Sequence, residues 1–158
     1  MITITTAERA EDLEATRYLI LTHAASLRQH PGSEQMRADA ESLPGQYAPP
    51  RGRLYLARLD GMPAGCVALR PLDATAGEVK RMFVLSTARR IGVARALMER
   101  LLADAVRMDY RTIRLGTLQE MTAAQALYRQ LGFVEIPRYR LDEMVDTVFF
   151  ERRLKAEG

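Results

Sequence analysis

One cysteine, no tryptophan and two histidines set the first limits on this chain of 158 residues. A lone Cys66 excludes an internal disulfide. No Cys-x-x-Cys pair exists, and His23 and His30 stand apart, so the ligands for a structural zinc site are missing and no metal is expected. Long apolar runs are absent as well. The longest purely aliphatic stretches are as short as Leu19-Ile20-Leu21, against about 20 residues for a membrane span. The opening Met1-Ile2-Thr3-Ile4-Thr5-Thr6-Ala7-Glu8-Arg9 becomes charged at once and has no signal-peptide core. These absences read as a cytoplasmic protein without a membrane partner. Charge of one sign is scarce too: 23 basic and 20 acidic residues are interleaved, for a net charge of +3. Without a basic stripe and its aromatic stacking partners, no nucleic-acid partner is expected.

What is present suits a folded α/β protein. Apolar residues make up 47% and charged residues 27%, ordinary values for a globular chain. The length fits one domain, residues 1–158, able to bury roughly 68–70% of its unfolded surface. Ile2 and Ile4 alternate with threonines as in a short strand, and Thr5-x-x-Glu8 has the form of a capping box. Leu13, Arg17, Ile20, Leu21 and Ala24 follow at helical spacing up to His30-Pro31-Gly32. A second short helix is predicted over Glu34–Leu43. The stretch Leu43-Pro44-Gly45-Gln46-Tyr47-Ala48-Pro49-Pro50 is read as a loop. Leu54–Leu59 and Ala64–Leu69 flank Asp60-Gly61, a hairpin signal. Glu78–Val84 reads as a strand and Gly92–Met108 as a long helix. Val93, Leu97, Leu101, Ala105 and Met108 form its apolar stripe. Thr112–Thr117 and Thr147–Glu151 are further strands, Ala123–Leu131 a helix closed by Gly132. The order β-α-α-β-β-β-α-β-α-β-β is mixed, not a regular βαβ alternation.

Chemistry concentrates where a strand enters a basic loop that opens a helix, from Glu78 to Leu97. A helix N-terminus presents unpaired N–H groups and partial positive charge, a natural seat for phosphate. Two phosphate motifs are excluded, since neither Gly-x-x-x-x-Gly-Lys-Ser/Thr nor Gly-x-Gly-x-x-Gly occurs. The pattern present is Arg-x-x-Gly-x-Ala, Arg89 to Ala94. It resembles the coenzyme A loop of the GNAT superfamily of N-acetyltransferases, Arg/Gln-x-x-Gly-x-Gly/Ala. Ala123-Ala124-Gln125-Ala126-Leu127-Tyr128-Arg129-Gln130-Leu131-Gly132-Phe133 resembles the same family's Ala-x-x-Leu-Tyr-x-x-x-Gly-Phe signature. The resemblance is clearest over residues 64–134. Two departures are visible: Arg90 replaces a common glycine, and Met121 stands where many members carry a cofactor-contacting asparagine.

The resemblance implies a mostly antiparallel mixed sheet with splayed central strands, flanked by helices. It implies acetyl-CoA as co-substrate and direct attack in a ternary complex. Met82, Phe83 and Val84 would receive the pantetheine arm along their backbone. Arg89, Arg90, Ile91, Gly92, Val93, Ala94 and Arg95 would cradle the phosphates. Arg95 opposes the helix dipole, which a bound polyanion would relieve. Tyr128 would act as general acid toward the leaving thiolate. Glu78 is the candidate general base, since an alkyl ammonium must lose a proton before attack. Simple alternation puts Glu78 on one face with Lys80, Met82 and Val84. Tyr47, Arg51, Arg53 and Tyr139 are candidate acceptor contacts, with Arg51 or Arg53 able to hold a carboxylate. Cys66 and His23 are not read as catalysts. The leading expectation is acetyl transfer to a primary amine of a small, amino-acid-like molecule. Acetylation of a protein N-terminus or lysine, or a non-catalytic acetyl-CoA sensor, are the alternatives. The resemblance allows a homodimer.

Overall fold

Ile2 and Ile4 turn inward from alternating threonines, and the chain opens with strand β1 (Ile2–Thr6). The computed structural model describes residues 1–27, 30–141 and 146–154. Thr5 lies inside the β1 ladder opposite Leu56, so the capping box expected at Thr5-x-x-Glu8 does not form. Helix α1 (Ala10–Ser26) starts instead after Arg9, without a side-chain cap. Glu11 and Asp12 in its first turn meet the positive end of the helix. Helix α2 (Gly32–Glu41) follows. The proline-rich stretch is a loop with one turn of 3-10 helix, Gly45–Tyr47.

Strands β2 (Arg53–Leu59) and β3 (Met62–Pro71) are joined at Asp60-Gly61. Both turn residues take positive φ, 51° and 87°, the twist that two-residue hairpins favour. Next come β4 (Ala76–Val84), helix α3 (Val93–Arg107), β5 (Thr112–Leu118), helix α4 (Thr122–Gln130), β6 (Val134–Ile136) and β7 (Thr147–Arg153). The order matches the sequence reading, with boundaries moved by one to three residues in most elements. The strands form a seven-stranded sheet in the order β1-β2-β3-β4-β5-β7-β6. Every neighbouring pair is antiparallel except β4 and β5.

Each face of the sheet carries its own apolar cluster. Val67, Leu69, Val79, Leu115 and Phe150 pack under α3 and α4. Leu54, Leu56, Cys66, Ala68 and Phe83 pack under α1 and α2. Helix α3 buries Val93, Leu97, Met98, Leu101, Leu102 and Ala105, the stripe its 3.6-residue period predicts. Full burial of each larger aliphatic side chain is worth about 1.5–3 kcal/mol. Among the described residues, no helix is long and apolar enough to cross a membrane.

Candidate active site

The two parallel strands at the centre of the sheet stay together only briefly. They pair at Ala76↔Thr112, Gly77↔Ile113, Glu78↔Arg114 and Val79↔Leu115. Beyond that point β4 continues to Val84 and β5 to Leu118 without pairing, so the sheet opens into a V. Among the described residues, no strand pairs with the β5-facing edge of β4 along Arg81–Val84. Such an edge can take an extended ligand as an added strand.

A bulge sits just where the V opens. Arg81 has φ 58°, and the β3–β4 register shifts between Cys66↔Phe83 and Ala68↔Lys80. The bulge changes which side chains share a face. Glu78 and Lys80 stand opposite Arg70 and Ala68 on the α1/α2 side, together with Phe83. Met82 and Val84 pack into the α3 side. The single face expected for Glu78, Lys80, Met82 and Val84 is therefore split. The physical reason lies in Arg81: unbroken alternation from Val79 would drive its guanidinium into the apolar cluster beneath α3. Instead its Nε donates to Asp39 Oδ2 at 2.8 Å. Its carbonyl, displaced by the bulge, accepts a bond from the Cys66 thiol at 3.4 Å. Burial pushes that thiol up to about 12, with the Arg81 charge acting the other way, so Cys66 is no nucleophile at neutral pH.

From the C-terminal end of β4 the chain passes through Arg89 and Arg90 to Gly92. Gly92 precedes α3 with φ 98° and no side-chain cap. A Cβ there would meet nothing within 4 Å; the constraint is the dihedral, which favours glycine. Among the described residues, no side chain caps the first turn of α3. Arg90 also has positive φ, 65°. Arg89 Nε donates to the Val84 carbonyl at 3.1 Å, bracing the loop, and Arg95 donates to Gln130, tying α3 to α4. Ile91 is exposed.

Tyr128 lies on α4 beneath the α3 face of the sheet. Its ring meets Phe133 edge-on at 5.9 Å and Phe150 at 6.4 Å. Among the described residues its hydroxyl has no hydrogen-bond partner. Burial pushes its pKa up to about 12, so it stays a donor at any ordinary pH. Glu78 occupies the opposite face, at the closed end of the V. Its Oε1 accepts from Arg70 Nε at 2.8 Å and Arg140 Nη1 at 2.7 Å; its Oε2 accepts from Tyr139 Oη at 2.7 Å. Burial raises its pKa. The Tyr139 hydrogen bond and the charges of Lys80 and Arg70 outweigh that, and the carboxyl is held below the usual range.

The Acetyltransferase (GNAT) family model matches residues 12–133. The chain belongs to this family. An uncharacterised N-acetyltransferase of Dictyostelium discoideum is 37% identical over 79 residues, 49% of this chain and 37% of that protein. N-acetylaspartate synthetase of Rattus norvegicus is 40% identical over 86 residues, 54% of this chain and 29% of that protein. The chain thus spans well under half the length of these two relatives. The crystal structure of a GNAT acetyltransferase from Staphylococcus aureus Mu50 superposes with a TM-score of 0.82 at 24% identity, covering 98% of this chain and all of that one. It has the same fold.

Against this GNAT frame, the residues fit acetyl-CoA: the open β4 edge at Met82, Phe83 and Val84 matches a pantetheine arm, and the uncapped α3 N-terminus matches a pyrophosphate. The other expected roles fare differently. Glu78, expected as general base, has both oxygens held by cationic or phenolic donors, and its depressed pKa weakens it as a proton acceptor. Arg51 lies beyond the closed end of the V, donating to the Asp73 and Ala74 carbonyls and stacking on Tyr110. Arg53 donates to the Pro50 and Gly52 carbonyls. It lines a separate cleft of about 280 Å³ with Arg100, Asp104 and Arg107, by the C-terminal end of α3. Neither reaches the V. Tyr47 is buried, its hydroxyl given to Asp39. Tyr139 does reach the V, through Glu78.

Sequence reasoning missed Arg70, Arg140, Asp39 and Arg81. For Arg70 a signal existed. Asp73 Oδ1 accepts from the Thr75 and Ala76 amides at 2.8 Å, a side-chain turn of the kind aspartate favours. Counting outward from that turn puts Arg70 opposite Glu78. Arg140 and Asp39 are brought in by tertiary packing alone.

Proposed function

We propose that this protein is an acetyl-CoA-dependent N-acetyltransferase acting on a primary amine of a small, amino-acid-like molecule. One observation carries the proposal: the α3 side of the sheet carries a buried phenol, Tyr128, that stays a donor, and the other face carries a cationic cluster around Glu78. An amine can therefore enter from the α1/α2 face while sulfur departs toward α4. When bound, acetyl-CoA supplies the activated acyl thioester. In the transfer a C–N bond forms and the C–S bond breaks.

Tyr128 stabilises the departing thiolate by donating a hydrogen bond. With its pKa near 12 and a thiol near ~8.5, complete proton transfer is uphill by roughly 5 kcal/mol, so water completes the protonation. On the other face the amine's proton leaves to water. Glu78 does not take it directly; its charge holds Arg70, Arg140 and Tyr139 in place. The positive charges of Arg70, Lys80, Arg81 and Arg140 favour the neutral, attacking form of a nearby amine. The same charges favour an acceptor bearing a carboxylate. A relative named for synthesis of N-acetylaspartate agrees with that class.

The test is free-thiol release from acetyl-CoA across amino acids, polyamines and short peptides, with Tyr128→Phe alongside. The expected result is turnover of carboxylate-bearing amines and a loss of kcat of about 10²-fold in the variant, with acetyl-CoA binding retained. Tight acetyl-CoA binding with no turnover of any amine would replace the enzyme by a sensor. Turnover confined to peptides would move the substrate to protein termini.

A further inference from the structure

The bulge that opens the V is held from outside the sheet, and the hold converges on one residue. Asp39 lies on α2, remote in sequence from β4 and from both motifs of the coenzyme site. Its Oδ2 accepts from Arg81 Nε at 2.8 Å. The two side chains are 9% and 8% exposed, so the pair is nearly removed from water. Tyr47 donates its hydroxyl to the same oxygen, and Gln46 Nε2 donates to Oδ1 at 3.3 Å. Burial raises the pKa of Tyr47, so its hydroxyl stays a donor through the physiological range. Gln46 also accepts from Arg70 Nη1 at 2.9 Å, and Arg70 continues to Glu78. A single chain of hydrogen bonds thus runs from the Arg81 bulge through α2 and the Gly45–Tyr47 turn to the cluster around Glu78.

Arg81 needs such a hold. It is not glycine, yet its φ is 58°, a conformation L-residues enter at a cost and keep only when their surroundings impose it. Releasing the guanidinium lets the backbone relax toward regular alternation. That would turn Met82 and Phe83 to the wrong faces of the sheet. Those two residues belong to the β4 edge that would hold the acyl donor. We infer that Asp39 is a positioning residue: by clamping Arg81 it fixes the β4 bulge, and with it the placement of the thioester relative to the incoming amine. This inference rests on the acetyltransferase reading for its catalytic consequence, but its structural half stands without it.

Two measurements separate the halves. Amide hydrogen exchange compares wild type with Asp39→Asn, which keeps the shape and removes the charge. Exchange at residues 81–84 should quicken about tenfold or more, while amides of α3 stay protected as before. Steady-state kinetics with the acceptor that wild type turns over should show kcat down at least tenfold. The acetyl-CoA Kd by calorimetry should remain within threefold, since the phosphate loop at Gly92 lies outside the clamp. Asp39→Glu should recover part of kcat. Tyr47→Phe, which removes one donor and keeps the ion pair, should lie between wild type and Asp39→Asn and guards against a variant that fails to fold. Unchanged exchange at 81–84 with unchanged kcat would overturn the inference. So would a uniform rise in exchange over the whole chain with kcat and Kd worsening together. If wild type acetylates nothing, the enzyme reading falls, and the exchange result alone decides whether Asp39 holds the bulge.

Discussion

Glu78 shows how a side chain's neighbours, more than its type, decide its chemistry. A carboxylate near an amine site is a natural base, yet here each oxygen already accepts strong donors from Arg70, Arg140 and Tyr139. Removing the charge leaves two partly exposed guanidinium groups facing a neutral amide. Breaking a fully buried pair typically costs about 3–5 kcal/mol, and the partial exposure of these arginines lowers that cost. Glu78→Gln should therefore lower the midpoint of cooperative unfolding markedly, as followed by circular dichroism. A variant as stable as wild type would show that the cluster contributes little to the fold. Tyr128 is the contrasting case at this scale. Its ring is fixed by Phe133 and Phe150 and its proposed role is to donate to the leaving thiolate, so Tyr128→Phe should be nearly neutral for folding and severe for turnover.

At the scale of elements, the junction between β4 and α3 is where the proposed phosphate seat would be built from backbone groups. Gly92 holds φ 98° at the start of α3, and no neighbouring atom limits the space beside it. Gly92→Ala therefore tests the dihedral alone. Strain of about 1–2 kcal/mol is expected from placing a Cβ in the left-handed region. If the strain is relieved by moving the loop, acetyl-CoA affinity should drop about tenfold while the Tm falls by a few degrees. Calorimetric titration of acetyl-CoA reads this directly; an unaltered Kd would show that the first turn of α3 does not seat the phosphates. The other decisive element is β4 itself. Its parallel pairing with β5 ends at Val79↔Leu115, and the bulge at Arg81 follows within two residues. The closed end of the V is thus hydrogen-bonded and its mouth is not.

Over the whole molecule, the ionisable groups buried on both faces set the range of pH in which the fold holds. Burial first, and then the charges of Arg81 and Arg89, depress His23 from 6.5 to about 4; its ring is stacked on Phe83 at 4.6 Å. A depressed histidine favours folding above its unfolded value, and that contribution is lost as pH falls from about 6.5 toward 4. Glu78, also depressed, adds a further loss at still lower pH. On the alkaline side burial raises Tyr47, Tyr55 and Tyr128 above their ordinary value of 10.0. Raised groups favour folding below their unfolded value, so stability should fall as pH climbs past about 10. Chemical denaturation across pH should give a plateau near 7–9 with losses on both sides, and His23→Gln should flatten the segment between 6.5 and 4. A segment of equal slope in that variant would remove His23 from the account.

Much of this protein could be read from its residues in order. Periodicity located α3 and its buried stripe, Asp60-Gly61 located the β2–β3 turn, and the loop from Arg89 to Ala94 with the helix that precedes Gly132-Phe133 pointed to an acetyltransferase. These signals are local: each depends on residues a few positions apart, whose spacing maps directly onto a turn, a helix face or a cap. The site on the α1/α2 face is different in kind. Asp39 meets Arg81, and Tyr139 and Arg140 meet Glu78, across 42, 61 and 62 positions. No local pattern encodes such meetings. The bulge is the clearest instance, because alternation alone assigns Met82 and Val84 to the face of Glu78. Only the cost of burying the Arg81 guanidinium in an apolar layer, with Asp39 waiting on the other side, decides otherwise. Short-range geometry in the sequence was enough for the elements and for the glycine loop that opens α3. The tertiary structure decided which charged groups are bound to one another around the β4 bulge, because pairing energies in a nearly dry interior depend on partners that the chain brings together only when it folds.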